Sequence, residues 1–447
     1  MTRTTLGSAL PLLALGLGVP ACVVPIELVE DTDAAGDTDA VGDGSGSAGD
    51  AADDGSSGEV PDCSLGELGC ACSDDACEAG SVCAEGMCVP LVGPCGNGVL
   101  DEEAGEDCDD GNLTDADGCN ADCRPSGALL WTTGFDGARS AHVVEVDGDD
   151  AIVVGGTVNV PGYAGWIRKL DSTGAEQWLE ELPVETTAET LAIHDDGRIV
   201  AGCSEWGGLG NFGKLWIRIY FGDGNVEKIV DGDGNAPVES AIDPAGVALM
   251  TSYGRVHAYD GESQWFWSPD DNPHGIAVLP SGNVVVGGNY DGGGPSVSWL
   301  ALYEGASSND AATWSRPGPD GYITDLAVDG AGNIVALGSD SDSQITWLHK
   351  LAPDGTELWT STIGEEGAGD LGRRLAVDSH DRIVLTGHLQ VGSGEDLWLV
   401  KTDPDGQVLW SVVVDEGRAS DVAIDSRDEI LVVGQVGEQA WLARYAP

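Results

Sequence analysis

The sequence predicts an all-β protein in which residues 127–447 form a seven-bladed β-propeller. One pattern recurs from residue 141 onward: a Val/Ile-rich run, an Asp-containing turn, a second run and a Trp. Its copies align at Gly156, Cys203, Ser252, Gly288, Gly338, Gly387 and Gly434, with spacings of 47, 49, 36, 50, 49 and 47 residues. A period of about 40–50 residues built only from short strands is typical of propeller blades.

Each copy is predicted to consist of strands, because its Val/Ile-rich runs are bounded by Asp-x-x-Gly and Pro-Asp-Gly turns. Aspartates recur at the first turn of five copies, namely Asp147, Asp243, Asp329, Asp378 and Asp425. An Asp side chain that accepts hydrogen bonds from its own backbone explains this recurrence without any function. No segment combines an apolar period of 3.6 with helix caps, so we expect few helices.

Twelve of the 14 Trp residues fall at two repeating positions. The first set is Trp166, Trp216, Trp299, Trp347, Trp398 and Trp441, and the second is Trp131, Trp178, Trp265, Trp314, Trp359 and Trp410. We expect these rings to pack between neighbouring blades. The last copy lacks the strand that would carry the second Trp, whereas an extra strand containing Trp131 precedes the first copy. The sequence therefore predicts that this N-terminal strand completes the last blade and leaves no open edge.

The blade itself resembles a known repeat. Residues 350–359 read Lys-Leu-Ala-Pro-Asp-Gly-Thr-Glu-Leu-Trp, with a variant at 401–410, and are similar to pyrroloquinoline-quinone-type and WD-like propeller repeats. The resemblance extends to the blade and not to a quinone site, because quinone dehydrogenases of that group have eight blades and a pair of adjacent cysteines. This propeller has only Cys203, at a position held by Gly in five other copies. We expect Cys203 to be a small buried residue.

The chain is strongly acidic, with 77 Asp+Glu against 19 Lys+Arg and a formal net charge of -58. Such a charge repels nucleic acid, so we expect no nucleic-acid partner. Residues 1–21 combine Arg3 with an apolar run too short to span a bilayer, which predicts a secretory signal. The run ends at Val19-Pro20-Ala21-Cys22, which resembles the lipobox of bacterial lipoproteins and implies lipid attachment at Cys22. The alternative is plain cleavage after Ala21, leaving Cys22 free.

Residues 22–62 are rich in Asp, Gly, Ala and Ser, and we expect a disordered acidic linker. Ten cysteines follow, and in an exported chain this density predicts disulfides. One cysteine-rich module, residues 63–90, contains Cys63, Cys70, Cys72, Cys77, Cys83 and Cys88, whose pairing the sequence leaves open. A second, residues 95–123, contains Cys95, Cys108, Cys119 and Cys123. Zinc is the rival interpretation, but export and the absence of His before His142 disfavour it.

The second module reads Cys-Gly-Asn-Gly from residue 95, Cys-Asp-Asp-Gly-Asn from 108 and Asp-Gly-Cys from 117. It resembles the four-cysteine repeat of surface proteins in myxobacteria and their relatives, which implies an extracellular disulfide-bonded module without known catalysis. Its oxygen-bearing side chains are candidate Ca²⁺ ligands, namely Asp107, Asp109, Asp110, Asn112, Asp115 and Asp117. The alternative is that these residues only shape tight turns.

Linear sequence motifs for catalysis are absent. The seven His are scattered over the blades without a metal-ligand spacing, and neither a nucleophile-elbow nor a nucleotide-binding motif occurs. We therefore expect no enzyme activity and no cofactor other than calcium. One hypothesis for an axial site is a ring made of His257 and His349 with Arg168 and Arg218, which occupy equivalent positions in their copies. The alternative is that these side chains are exposed or pair between strands.

The leading hypothesis is an exported, lipid-anchored and monomeric protein at the outer membrane or cell surface, whose propeller binds a protein, glycan or matrix ligand. Segments 205–213, 289–298 and 390–396 are the predicted variable binding loops. Two alternatives remain open: a periplasmic scaffold for envelope assembly, and a lyase or hydrolase that uses the axial channel.

Overall fold

The computed structural model describes residues 81–84, 87–90, 95–101 and most of 105–447. Segments 159–163, 206–213, 233–234, 291–295, 307–310, 341–344, 365–370 and 392–393, with residues 270 and 416, lie outside the described part. The predictions for the signal peptide, Cys22, the linker and residues 63–80 fall outside the described residues. In the described part, no helix is long and apolar enough to cross a membrane.

Within the described residues, seven four-stranded antiparallel sheets follow one another along the chain. Ahead of them lie a hairpin of β1 (Ser81–Ala84) and β2 (Met87–Pro90), and then β3 (Leu129–Gly134). Blade 1 contains β4 (Ala138–Val146), β5 (Ile152–Val158), β6 (Ala164–Leu170) and β7 (Glu176–Val184). Blade 2 contains β8 (Thr186–Ile193), β9 (Ile199–Glu205), β10 (Lys214–Tyr220) and β11 (Val226–Asp231). Blade 3 contains β12 (Pro237–Ile242), β13 (Ala248–Ser252), β14 (Arg255–Tyr259) and β15 (Gln264–Trp267).

The remaining blades repeat this order. Blade 4 contains β16 (Asn272–Val278), β17 (Val284–Tyr290), β18 (Val297–Tyr303) and β19 (Trp314–Asp320). Blade 5 contains β20 (Tyr322–Val328), β21 (Ile334–Asp340), β22 (Ile345–Leu351) and β23 (Glu357–Ile363). Blade 6 contains β24 (Leu371–Val377), β25 (Ile383–Val391), β26 (Gly394–Thr402) and β27 (Val408–Val414). Blade 7 contains β28 (Gly417–Ile424), β29 (Ile430–Val436) and β30 (Gln439–Tyr445), and β3 is its fourth strand.

The first strand of each blade lies at the centre. β4, β8, β12, β16, β20, β24 and β28 contact one another in turn, and β28 returns to β4, so these strands surround the axis. The ring closes as the sequence predicts, because β3 pairs with β30 through Thr132 opposite Ala443 and Thr133 opposite Leu442. The predicted seven-bladed propeller with a completing N-terminal strand is therefore confirmed.

The repeating Trp residues pack between blades, as predicted. In the second set, the indole Nε1 of Trp178 donates to Gly222 O of the next blade at 3.2 Å, and that of Trp314 donates to Pro353 O at 3.1 Å. In the first set, Trp166 is 1% exposed and belongs to a core that combines residues of blades 1 and 7. The cores therefore lie in the wedges between sheets, where large rings fill the space.

The first-turn aspartates accept hydrogen bonds from backbone N–H groups of their own turns, which confirms the prediction that they stabilise these turns. Asp378 Oδ1 accepts hydrogen bonds from the backbone N–H of His380 and Arg382, both at 2.9 Å. The structure adds a role that the sequence did not reveal. The second carboxylate oxygen binds a cation on the third strand of the blade, as in the pairs Asp147–Lys169 at 2.7 Å, Asp329–Lys350 at 2.9 Å, Asp378–Lys401 at 2.9 Å and Asp425–Arg444 at 2.8 Å.

A second turn aspartate connects neighbouring blades. Asp428 has a left-handed backbone with φ of 60°. Its carboxylate accepts the N–H and the hydroxyl of Ser379 in blade 6 at 2.9 and 2.8 Å. Asp150 and Asp381 have the same φ of 60°, and each makes the equivalent contact with the preceding blade. A left-handed backbone is tolerated here because the side chain is fixed across the blade boundary.

We expect Asp428→Ala to lower the free energy of unfolding by about 2 kcal/mol, since it loses both hydrogen bonds and keeps an unfavourable backbone conformation. Asp428→Asn retains the acceptor oxygen and should cost less than half as much. Urea denaturation of both variants measures the difference. Equal losses would show that the contact to Ser379 contributes nothing.

Candidate functional site

Every first strand carries a β-bulge near the same end, and the bulges define one mouth of the axial channel. At the equivalent place in each strand, one residue has no register partner on the second strand: His142, Glu189, Val238, His274, Thr324, Arg373 or Ser420. β4 has a second such residue, Arg139. A bulge inserts an extra residue and re-aims its side chain. We call this end of the disc the mouth and these residues the bulge ring. The opposite end, where the first-turn aspartates lie, is the turn end.

The bulge ring lines two cavities. The first has a volume of about 310 Å³ and is lined by five of the ring residues together with Tyr322, Arg374 and His388. The second, of about 470 Å³, lies where blades 7, 1 and 2 meet and is lined by Arg139, Ser140, His142, Thr157, Thr187, Glu189 and Gln435. All seven ring residues therefore face one cavity or the other. The mouth presents hydroxyl, imidazole, carboxylate and guanidinium groups at one place.

Three of these side chains, called here the Ser–His–Glu relay, lie in sequence across the second cavity: a hydrogen bond joins the serine to the histidine, and an ion-pair contact joins the histidine to the glutamate. Ser140 Oγ lies 2.8 Å from His142 Nε2, and the other ring nitrogen, Nδ1, lies 3.4 Å from Glu189 Oε2. Ser140 and His142 belong to β4, whereas Glu189 belongs to β8 of the next blade. The relay therefore exists only where two blades meet.

Glu189 is held in position by two hydroxyl groups. Its Oε1 accepts hydrogen bonds from Thr187 Oγ1 and from Ser204 Oγ, the latter at 3.0 Å. Burial raises the pKa of Glu189, but its hydrogen bond to His142 and the charge of that imidazole outweigh burial, with help from the two hydroxyls. The net pKa of Glu189 lies below the usual range, so the carboxylate is ionised at neutral pH.

Below the first cavity, Arg374 lies among buried carboxylates. Its Nη2 is 3.4 Å from Glu239 Oε2, and its Nε is 3.8 Å from Asp421 Oδ1. Arg374 also donates to the carbonyl oxygens of Thr324 and Val238 at 3.1 and 3.3 Å. Glu145 and Asp325 are the other acidic groups of this axial cluster. The Arg374 guanidinium therefore interacts with Glu239, Asp325 and Asp421, and these three acids in turn act on Glu145.

Burial and the excess of acidic over basic groups in the axial cluster raise the pKa values of three of its carboxyl groups. Burial raises the pKa of Asp421 to about 7, with Arg374 opposing and Glu239 reinforcing the shift. Burial and the charges of neighbouring acids also raise the pKa of Glu145 and of Asp325 well above the usual range. Asp421 nevertheless has a structural contact, because its Oδ2 accepts the N–H of Val144 in blade 1 at 2.8 Å. The axial cluster therefore links neighbouring blades, and its contribution to the free energy of unfolding depends on pH.

We expect the protein to be about 2 kcal/mol more stable at pH 5 than at pH 8 because of this cluster. The folded state keeps a proton on Asp421 that the unfolded chain releases above its ordinary pKa of 3.8, so stability falls as pH rises toward about 7 and then levels off. Asp421→Asn should flatten this dependence, whereas Asp171→Asn, at an exposed turn, should leave it unchanged. Unfolding free energies measured at several pH values provide the comparison, and an unaltered slope in Asp421→Asn would contradict the assignment.

The predicted ring of His257, His349, Arg168 and Arg218 does not line the axis. All four residues lie on third strands, β14, β22, β6 and β10, whereas the first strands surround the axis. His349 Nδ1 contacts Thr360 Oγ1 on the outer strand at 2.7 Å, and His257 Nε2 contacts Ser252 Oγ at 2.8 Å. The prediction of an axial ring is therefore wrong. Equivalent positions in the repeat place these residues at the same point of the third strand, but they do not show how far the third strand lies from the axis.

The four-cysteine module contains two disulfides, Cys95–Cys123 and Cys108–Cys119, with Cα–Cα distances of 5.3 and 5.7 Å. In the first module, Cys83 and Cys88 lie opposite each other in the β1–β2 hairpin. Cys63, Cys70, Cys72 and Cys77 lie outside the described residues. Cys203 is free and fully buried, and burial raises the pKa of its thiol to about 12. This confirms the prediction of a small buried residue.

The carboxylates of the four-cysteine module bind backbone groups. Asp109 accepts the N–H of Asn97, Gly98 and Gly111, Asp110 accepts that of Cys119, and Asp115 accepts that of Ala121. Asn112 Nδ2 donates to Asp117 Oδ2 at 3.1 Å. In the described part of this module, Asp107 and these other aspartates do not converge on one point as a set of ligands. The geometry favours the turn-forming interpretation, and calcium binding here stays a prediction.

One cluster elsewhere has the spacing of a metal site, namely Asp378, His380 and Asp428 at the turn end. Two cations already occupy it. Arg382 Nε lies 2.6 Å from Asp378 Oδ2 and Lys401 Nζ lies 2.9 Å from the same oxygen, while Arg382 Nη2 lies 3.6 Å from Asp428. A metal ion would have to displace buried positive charge, so this cluster is an ion-pair network.

The fold matches those of solved propellers. The WD40 β-propeller domain of Doa1 is similar over 71% of this chain and 96% of its own length, with 12% identity and a TM-score of 0.50. A chain in the structure of the Mitotic Checkpoint Complex is similar over 72% of this chain and 96% of its own length, with 14% identity and a TM-score of 0.54. No family model and no curated protein sequence matches the chain. Fold and comparisons together define the class: the chain is a seven-bladed β-propeller protein.

Proposed function

We propose that this protein is an exported, lipid-anchored binding protein of the cell envelope that recognises a hydroxylated ligand, a glycan, at the mouth of its propeller. The observation that carries the proposal is the bulge ring, which brings polar side chains from six blades, together with Val238 of blade 3, to two cavities at the mouth. Propellers are suited to this role because a rigid scaffold presents variable side chains at the ends of its strands.

The chemistry of the mouth favours a polar ligand over an apolar one. Hydroxyl, carboxylate and guanidinium groups can pair with the many donors and acceptors of a sugar. Two tyrosines add aromatic faces: Tyr322 lines the first cavity, and Tyr253, which follows β13 at the mouth, is 61% exposed. The strand ends that flank the predicted variable loops also lie at the mouth, although most residues of those loops are outside the described part.

The four-cysteine module contacts the disc at the turn end. Arg382, in the turn between β24 and β25, donates to Asp115 O of the module at 2.5 Å, and this turn lies at the turn end. The propeller also begins at the turn end, where Leu129 lies opposite Tyr445. This contact of the module with the disc is therefore on the face opposite to the mouth. This arrangement suits a protein anchored through residues ahead of the module.

The binding proposal is tested with a Cys22→Ser form of the full chain, exported without lipid, on an array of envelope polysaccharides and oligosaccharides. We expect one glycan class to bind, and Arg373→Ala and Tyr322→Ala to weaken binding at least tenfold. Arg124→Ala, on the four-cysteine module and half-exposed, should bind normally. Absence of any glycan binding, or equal loss in all three variants, would overturn the proposal.

The location is tested separately by treating intact cells with a protease and blotting for the propeller. Digestion in unbroken cells supports a surface-exposed disc. Protection until the outer membrane is opened would favour the alternative, an envelope-assembly scaffold in the periplasm.

A further inference from the structure

We propose that the Ser–His–Glu relay at the boundary of blades 1 and 2 is a nucleophilic site that hydrolyses small carboxylic esters. Ser140 is the nucleophile, His142 the general base and Glu189 the group that orients the imidazole. This inference goes beyond ligand binding, and it revises the expectation that the chain carries no enzyme activity.

The order of the atoms carries the inference. A serine nucleophile needs a base on its hydroxyl and a third group on the far ring nitrogen, which fixes the tautomer and stabilises the imidazolium. Here Nε2 of His142 lies 2.8 Å from the Ser140 hydroxyl, and Nδ1 lies 3.4 Å from the Glu189 carboxylate. The first distance is that of a formed hydrogen bond, and the second is within the looser range of sites without substrate.

Neighbouring hydroxyls orient both ends of the relay. Thr157 Oγ1 lies 2.7 Å from Ser140 Oγ and can donate to it, which leaves the serine proton for His142. At the other end, Thr187 and Ser204 occupy Oε1 of Glu189, so its Oε2 is the oxygen that faces the imidazole. His142 and Glu189 side chains are each 28% exposed, so the relay is supported by protein and still open to the cavity.

The same ring contains an internal comparison. His274 is the bulge residue of blade 4, equivalent to His142, but its Nε2 contacts the amide oxygen of Asn289 at 2.8 Å. The residue equivalent to Ser140 is Asn272, which has no hydroxyl. A bulge histidine is therefore a recurring structural feature, whereas the combination with a serine and a carboxylate distinguishes the boundary of blades 1 and 2.

The cavity of about 470 Å³ accommodates a short acyl group on a hydroxylated alcohol. Ser140 Oγ attacks the carbonyl carbon while its proton passes to His142 Nε2. The carbon–oxygen bond to the alcohol then breaks, and the departing oxygen takes the proton from His142. Water repeats the attack on the acyl-serine, so that a carboxylic acid is released and Ser140 is restored. Arg139, in the cavity wall, supplies positive charge for the oxyanion.

The test uses the full chain with Cys22→Ser, a fluorophosphonate probe and 4-methylumbelliferyl acetate. We expect the probe to add one phosphonyl group to the peptide that contains Ser140, and ester turnover above the rate with the unfolded protein. Ser140→Ala and His142→Gln should lower kcat/KM at least 100-fold, and Glu189→Gln at least tenfold. The controls Ser281→Ala and His380→Gln, both exposed at the turn end, should leave labelling and turnover unchanged.

Labelling at other serines only, or labelling of Ser140 that persists in His142→Gln, would overturn the inference. Far-UV circular dichroism and the unfolding midpoint of each variant separate a lost relay from a lost fold. Because the probe and the acetate contain no glycan, this result is independent of the binding proposal. Labelling without glycan binding would reject only the binding proposal, and binding without labelling would reject only the esterase.

Discussion

Asp378→Ala is expected to lower the free energy of unfolding by about 3–5 kcal/mol, because it leaves buried positive charge without a partner. The Asp378 side chain is completely buried, as is that of Lys401, and Arg382 is nearly so. Burial raises the pKa of this carboxyl, but the charges and hydrogen bonds of Lys401 and Arg382 outweigh burial and lower it overall. Its stabilising contribution is therefore present at neutral pH and is lost as the pH falls through the folded-state pKa.

Urea denaturation of Asp378→Ala measures this loss, with Asp354→Ala as the matched control. Asp354 also holds a turn through a backbone N–H, that of Thr356 at 2.8 Å, but it is exposed. We expect the Asp354→Ala control to lower the free energy of unfolding much less than Asp378→Ala does, because Asp354 is exposed. The double variant Asp378→Leu with Lys401→Met should recover part of the stability, since it removes one of the stranded charges. Equal losses for Asp378→Ala and Asp354→Ala would show that the ion pairs of Asp378 contribute little.

Removal of β3 is expected to abolish cooperative folding of the propeller, a loss greater than about 5 kcal/mol. A chain that starts at Phe135 leaves blade 7 with three strands and exposes the edge of β30, which β3 covers. It also removes Trp131, which packs into the core shared by blades 1 and 7 and lies 5.6 Å from the Arg444 guanidinium. An uncovered strand edge at the closure favours aggregation.

The matched control starts at Gly127 and keeps β3 while it lacks the four-cysteine module and its contact with Arg382. We expect this chain to unfold in one transition with a midpoint near that of the full protein. A synthetic peptide of residues 127–136 added to the chain from Phe135 should restore part of the folded population, measured by Trp fluorescence and gel filtration. A chain from Phe135 that folds as well as the control would mean that three strands suffice for the last blade.

The propeller could be predicted from the sequence because its determinants are local and repeat along the chain. Strand periodicity, Asp turns and paired Trp positions recur in each blade, and a repeat that is present in several copies averages out local irregularities. The strand that contains Trp131 precedes the first copy of the repeat, and this position predicted that it would complete the last blade. Similarly, the turn role of Asp378 and the burial of Cys203 followed from their places in the repeat.

The mouth left only a weak signal in the sequence. Each bulge residue stands five positions before the first-turn position of its blade, as His142 does before Asp147 and Arg373 before Asp378. Polar residues at six of these seven positions, within otherwise apolar strands, could have drawn attention to the ring. The repeat alignment instead emphasised third-strand positions such as His349, because the Trp of the third strand dominates the pattern.

The strands, the number of blades and the strand that completes the last blade follow from the order of the amino acids, since each depends on patterns within one repeat or on the number of repeats. Which strand surrounds the axis, and therefore which polar residues face one another, depends on how the blades pack. Ser140 and Glu189 lie far apart along the chain, but the ring of first strands and their bulges bring both to His142. Contacts between blades depend on how the seven blades pack into a closed ring, and the sequence of one repeat does not specify that packing.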